Sequence, residues 1–172
     1  SLRLRDPVNL AELLEIENRY PNLRLIVAHV GRAYCVGDVG DAFRVLKETR
    51  HMMFDISANA NAGVFEAALE AVGPGRLLFG SDMPILRMRC RRAEENGSYV
   101  NIVPPGLYGD VSGDPNMREA APEEARDITF FMYEEILAFL RACKSRGLGR
   151  RETDAIFCGN AEKLFAEMGT KR

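Results

Sequence analysis

The sequence has no apolar run near the roughly 20 residues that would cross a bilayer, and its first residues, "SLRLRDP", carry no signal-peptide stretch. Its four cysteines, Cys35, Cys90, Cys143 and Cys158, stand far apart with no CxxC pair, which excludes a zinc knuckle. They read as reduced thiols and not as a disulfide frame, so a cytoplasmic location is expected. A GxSxG elbow, a phosphate-binding Walker loop and a GxGxxG turn are all missing. Net charge is only −2 and the pI about 5.8. That balance gives no general attraction to nucleic acid or to an anionic membrane surface. What remains is an ordinary globular composition, 47% hydrophobic and 28% charged over 172 residues, which suits one domain.

Within it, apolar runs and helical stripes alternate. Asp6 before Pro7 marks a helix start, with Leu10, Leu13 and Leu14 as its stripe. "LRLIVAHVG" (23–31), "MMFDIS" (52–57) and "RLLFGSD" (76–82) read as strands buried on both faces, as parallel strands are. Helical stripes at 39–46 and 65–72 separate them. Strand, helix, strand, helix, strand is the order of parallel βα units. The third strand is followed by residues 84–121, rich in proline and glycine, before the next helix. A stretch that long inside a domain spanning 1–172 is usually functional or disordered, and its Tyr99, Ile102, Val103 and Tyr108 favour an ordered lid-like excursion that can include a short hairpin. Residues 122–147 read as one long helix with Ile128, Phe131, Met132, Ile136, Phe139 and Cys143 on a face. Asn160, in "GNAEKLF", reads as the N-cap of a closing helix.

Polar residues collect where the strands end. His29, Ser57 and Asp82 stand at or just past the carboxyl ends, and Asp55 lies within its strand. In parallel architectures ligands and catalysts gather there. A carboxylate such as Asp82 beside a sheet core needs a cation or strong donors, since desolvation otherwise makes it costly. A divalent metal is one answer, and capping its own turn is another. His29 could bind a metal, polarise water or bond a substrate, or could be a core histidine held by backbone. His51 precedes its strand and belongs at the opposite end, on the surface. Arg32, directly after "HVG", is a candidate for holding a substrate carboxylate, and so is Arg87 among the alternating arginines of the long loop. Cys35 has no partner base and does not read as a nucleophile.

"PNLRLIVAHVGR", "RLLFGSDMP" and "IFCGNAEKLF", in this order, resemble the amidohydrolase-related (amidohydrolase 2) family of metal-dependent hydrolases and decarboxylases. The resemblance covers nearly the whole chain. It implies a (β/α)8 TIM barrel with a divalent metal, zinc above all, at the mouth. By the same resemblance His29 ends the sixth strand and acts near the metal, while Asp82 ends the eighth, contacts the metal and acts as a base. The family's H-x-H and its fifth-strand histidine have no counterpart here. The chain therefore looks like the C-terminal part of such a barrel, about three βα units comprising strands 6–8.

Two expectations follow. In one, the chain is the C-terminal segment of a metal-dependent hydrolase, or of a decarboxylase of the same family, acting on a small carboxylate-bearing substrate and inactive alone because a catalytic zinc takes three protein ligands. In the other it is a non-catalytic, oligomerising barrel remnant. Three parallel strands cannot close a barrel and leave open edges. The expected partners are thus a second copy or the missing N-terminal part, with no nucleic acid and no membrane.

Overall fold

The computed structural model describes residues 3–169. Helix α1 (Pro7–Arg19) leads to strand β1 (Ile26–Val27), and short helices α2 (Val36–Val39) and α3 (Ala42–Leu46) lead to β2 (Met53–Asp55). Helix α4 (Ala62–Val72) then precedes β3 (Leu77–Leu78). The three strands form a parallel sheet in the order β1-β2-β3, with Ile26 beside Met53 and Asp55 beside Leu78. The apolar runs read as strands are longer than the segments that pair.

Asp6 precedes α1 but does not cap it: its carboxylate turns back to accept the Arg3 amide at 2.6 Å. The main core lies between the sheet and the helices, where Phe54, Phe65, Phe139, Leu46 and Ile156 are fully buried. Phe65 and Phe139 meet edge to face at 5.3 Å, fastening α4 to α6 (Phe131–Ser145).

Residues after β3 build a second small sheet. Strands β4 (Arg91–Glu95) and β5 (Ser98–Val103) form an antiparallel hairpin around Asn96-Gly97, and β6 (Met117–Glu119) pairs parallel to β5. The stretch 122–147 is not one helix. Helix α5 (Pro122–Ala125) stops, and α6 begins only at Phe131. The residues between are claimed by the second sheet's approach: Cys90 N–H donates to Thr129 C=O at 3.1 Å, and Phe131 N–H donates to Met88 C=O at 2.9 Å.

The chain closes with α7 (Arg150–Asp154), a wide π-helical stretch (Ala155–Gly159) and α8 (Asn160–Gly169), running without a break. Asn160 therefore sits inside a helix and is not an N-cap. Its side-chain amide donates to Pro74 C=O and Leu77 C=O, each at 2.8 Å, and so ties the closing helix to the start of β3.

Candidate active site

Each strand of the first sheet ends in a corner where a non-glycine residue has positive φ. After β1, His29, Val30, Gly31 and Arg32 make a left-handed turn, with φ of 55°, 48°, 64° and 60°. After β2 it is Ala58 at 53°, and after β3 it is Asp82 at 41°. Each such residue costs roughly 1–2 kcal/mol relative to a right-handed conformation. Strain of this kind persists only where the surroundings over-determine it, and it gathers at functional sites. Gly31 shows how tightly the first corner is held: a Cβ there would stand 2.5 Å from the Leu4 side chain.

The first two corners are tied to one another through Asp55. Its Oδ1 accepts the His29 amide at 3.0 Å, the Ser57 amide at 3.0 Å and the Ser57 hydroxyl at 2.5 Å. His29 Nδ1 lies 2.8 Å from Ser57 Oγ and 3.2 Å from Ser57 C=O. Ser57 has a single hydroxyl proton, and the carboxylate takes it. Both Ser57 oxygens then face Nδ1 as acceptors, so Nδ1 carries the proton. The chain from Asp55 through Ser57 to His29 fixes the tautomer and leaves Nε2 with its lone pair. No described residue bonds Nε2. An imidazole held this way at one nitrogen is the usual form of a metal ligand or base at the other.

Strand β3 reaches the same mouth through Gly80. A Cβ on Gly80 would stand 3.2 Å from Ser57 Cβ and 3.6 Å from Asp55 Cγ, so the glycine of "GSD" lets this backbone pass close beside the pair. Asp82 follows two residues on. Its carboxylate accepts no hydrogen bond and pairs with no cation among the described residues. It does not cap its own turn: only its backbone carbonyl is engaged, by Leu86 N–H at 3.4 Å.

Glu135 and Arg92 also belong to this region, and neither was picked out by sequence reasoning. Glu135, on α6, is fully buried, and neither carboxyl oxygen has a hydrogen-bond partner of normal geometry among the described residues. Burial, and then the charges of Asp55 and Asp82, raise its pKa to about 9, with partial relief from the Ala58 backbone and Arg92. Arg92, on β4, donates through Nη1 to Ala58 C=O and through Nε to Asn101 Oδ1 at 2.8 Å. Its guanidinium lies 4.5, 4.7 and 4.6 Å from the ring centres of Tyr34, Tyr99 and Phe131. A signal for Glu135 was present: it stands four residues from both Phe131 and Phe139, on the buried stripe. None distinguished Arg92 from its neighbours.

The two substrate-binding candidates are not drawn into this cluster. Arg32 lines a cleft of about 460 Å³ with Leu4, Leu13, Ile16 and Val27, against α1. The left-handed turn sends it there instead of toward Asp55. Arg87 lies on a short 3-10 turn (Ile85–Arg87), exposed and with no side-chain partner among the described residues. His51 is half-buried and accepts a bond from Arg24 Nη1 at 3.2 Å. Burial, then Glu94 and Asp38, push the Cys35 thiol up to about 11, which removes it as a nucleophile at neutral pH.

Among the described residues no three His, Cys, Asp or Glu side chains are grouped to hold a metal ion. The free Asp82 carboxylate and His29 Nε2 are donors of the right chemistry for zinc but too few, so by themselves they do not make a resident metal site. No described helix is long and apolar enough to cross a membrane.

Fold and site together define a parallel α/β chain whose strand-end polar residues are held in strained, interlocked corners. The chain belongs to the amidohydrolase family, whose model matches residues 3–166. Two crystal structures of an amidohydrolase from Burkholderia multivorans share its fold. One holds HEPES and the other zinc; each is 19% identical to this chain, with TM-scores of 0.58 and 0.57. The likeness covers 92% of this chain but 50% and 49% of theirs, so the chain spans about half the length of those relatives. A comparison with curated proteins finds no match.

Proposed function

We propose that this chain supplies strands 6–8, about three βα units, of an amidohydrolase barrel, and with them part of the mouth of a metal-dependent hydrolase. The observation that carries the reading is the pair of free donors: His29 Nε2, exposed by the Asp55–Ser57 relay, and the unpartnered Asp82 carboxylate. A divalent metal, zinc for preference, would polarise water or a substrate carbonyl there. This chain's own share is narrower. Asp82 binds the cation or accepts a proton, and His29 donates its Nε2 lone pair with its ring fixed from behind. The remaining ligands come from outside the described residues. A substrate carboxylate brought to this mouth would have Arg87, exposed and with no side-chain partner among the described residues, as one arginine to meet it, and a decarboxylase of the same family would use the same parts.

The test is zinc titration by calorimetry. The intact chain is expected to bind weakly, and Asp82→Ala to weaken binding further by about tenfold, ~1.4 kcal/mol. Unchanged zinc affinity in Asp82→Ala removes Asp82 from the reading.

A second reading, a non-catalytic remnant that associates through its open sheet edge, is favoured by the absence of a three-donor group among the described residues. It expects no zinc uptake at all, together with self-association or pairing with another polypeptide.

A further inference from the structure

We propose that Arg92 is a positioning residue for His29. From the second sheet it braces the Ala58 corner, and that corner presents Ser57 to the imidazole. The inference rests on the reading of His29 as a site residue.

The Ser57–Ala58 corner has two duties. Ser57 must offer both its hydroxyl and its carbonyl to Nδ1, at 2.8 and 3.2 Å. Ala58 must hold φ at 53°, which an alanine does not adopt unaided. The corner is therefore held from outside. Asn59, fully buried, donates to Ala33 C=O at 2.7 Å and accepts from Asn61 N–H at 3.0 Å. Arg92 Nη1 binds the Ala58 carbonyl, while Nε binds Asn101 on the neighbouring strand. One side chain thus pins the Ala58–Asn59 peptide, one peptide beyond Ser57, to the β4–β5 hairpin.

The surroundings of Arg92 point the same way. Its guanidinium is enclosed by three aromatic faces, and no carboxylate among the described residues forms an ion pair with it. A desolvated cation is an expensive way to fill space. The flat guanidinium justifies it by donating in two directions while stacking on rings, which lysine cannot do. The excursion after β3 therefore carries a brace for the mouth: its second sheet and the His29 ring are mechanically linked.

The two histidines make this testable without substrate or metal. His51 Nδ1 accepts from an arginine, which has no acceptor to offer, so its proton is on Nε2. His29 has its proton on Nδ1. Long-range ¹H–¹⁵N spectra of the chain should show two imidazoles with opposite tautomer patterns, assigned by His51→Gln. In Arg92→Met the Nδ1–H pattern of His29 is expected to collapse toward a mixture, while His51 keeps its own, and Arg92→Lys should restore it only in part. Should Arg92→Met fail to fold, Asn101→Ala decides, because it releases Nε without removing the stacked cation. A His29 pattern unchanged in the folded variant overturns the proposal, as does a wild-type His29 protonated on Nε2. A failed zinc titration leaves this result standing, and an unchanged imidazole pattern leaves the zinc reading standing, so the two fail separately.

Discussion

A carboxyl group buried on α6, with no hydrogen-bond partner of normal geometry for either oxygen among the described residues, favours the protonated state. Glu135 is in that position, with Asp55 and Asp82 adding negative charge and Arg92 and the Ala58 amide offsetting part of it. Its pKa rises from 4.5 to about 9 on folding. Below pH 4.5 it is neutral in both states, and its folded form carries no penalty. Between 4.5 and 9 the unfolded chain releases the proton and the folded chain keeps it. Stability therefore falls as pH rises, by up to about 1.4 kcal/mol per pH unit, until the folded group itself ionises. Urea unfolding followed from pH 5 to 9 should show this slope in the wild type and a clearly shallower one in Glu135→Gln, which should be the more stable of the two at pH 8. Equal slopes would mean that Glu135 finds a partner in solution.

At the scale of elements, the closing helix shows what a motif reveals and what it hides. "GNAEKLF" is legible as helix, and local spacing points to Asn160 as its N-cap, because the sequence does not show that the helical piece before it runs on without a break. The structure uses the side chain across 86 positions, to Pro74 C=O, and across 83, to Leu77 C=O. The two roles make opposite forecasts. As a cap, aspartate replaces asparagine at little cost. As a donor to two carbonyls it cannot, since a carboxylate only accepts. Asn160→Ala should cost about 1–3 kcal/mol in urea unfolding, and Asn160→Asp should cost more than Asn160→Ala. The strand ends were legible for a different reason. His29, Ser57 and Asp82 interrupt apolar runs, and a polar residue there has few structural uses. The partnership with Asp55 was not legible, because it forms between strands whose register no single run discloses. The break at 126–130 was hidden likewise: helical periodicity continued through residues whose backbone is taken by Met88 and Cys90. The Arg92 brace depends wholly on that tertiary arrangement.

At the scale of the whole molecule, the two edges of the first sheet are unequal. On β3 the outward groups are engaged: Phe79 N–H donates to Ile156 C=O at 2.9 Å, and Leu77 C=O receives Asn160. On β1 no strand lies outside Ile26–Val27 among the described residues. Ile26 on that edge is exposed, as are Leu23 and Tyr20 in the segment leading into it, and the apolar cleft against α1, lined in part by Val27, opens beside it. An open edge flanked by apolar side chains is a template for another strand, whether from a second copy or from a further stretch of polypeptide. The chain alone is therefore expected to associate through β1 and not through β3. Sedimentation equilibrium across the micromolar range should show mass rising with concentration. Ile26→Lys, which places a charge on the open edge, should shift association to at least about tenfold higher concentration, ~1.4 kcal/mol. A lysine at Phe165, which is also exposed but lies on α8, should leave association as it was. A wild-type chain that sediments as a monomer throughout would show that the β1 edge is satisfied within the chain and calls for no outside strand.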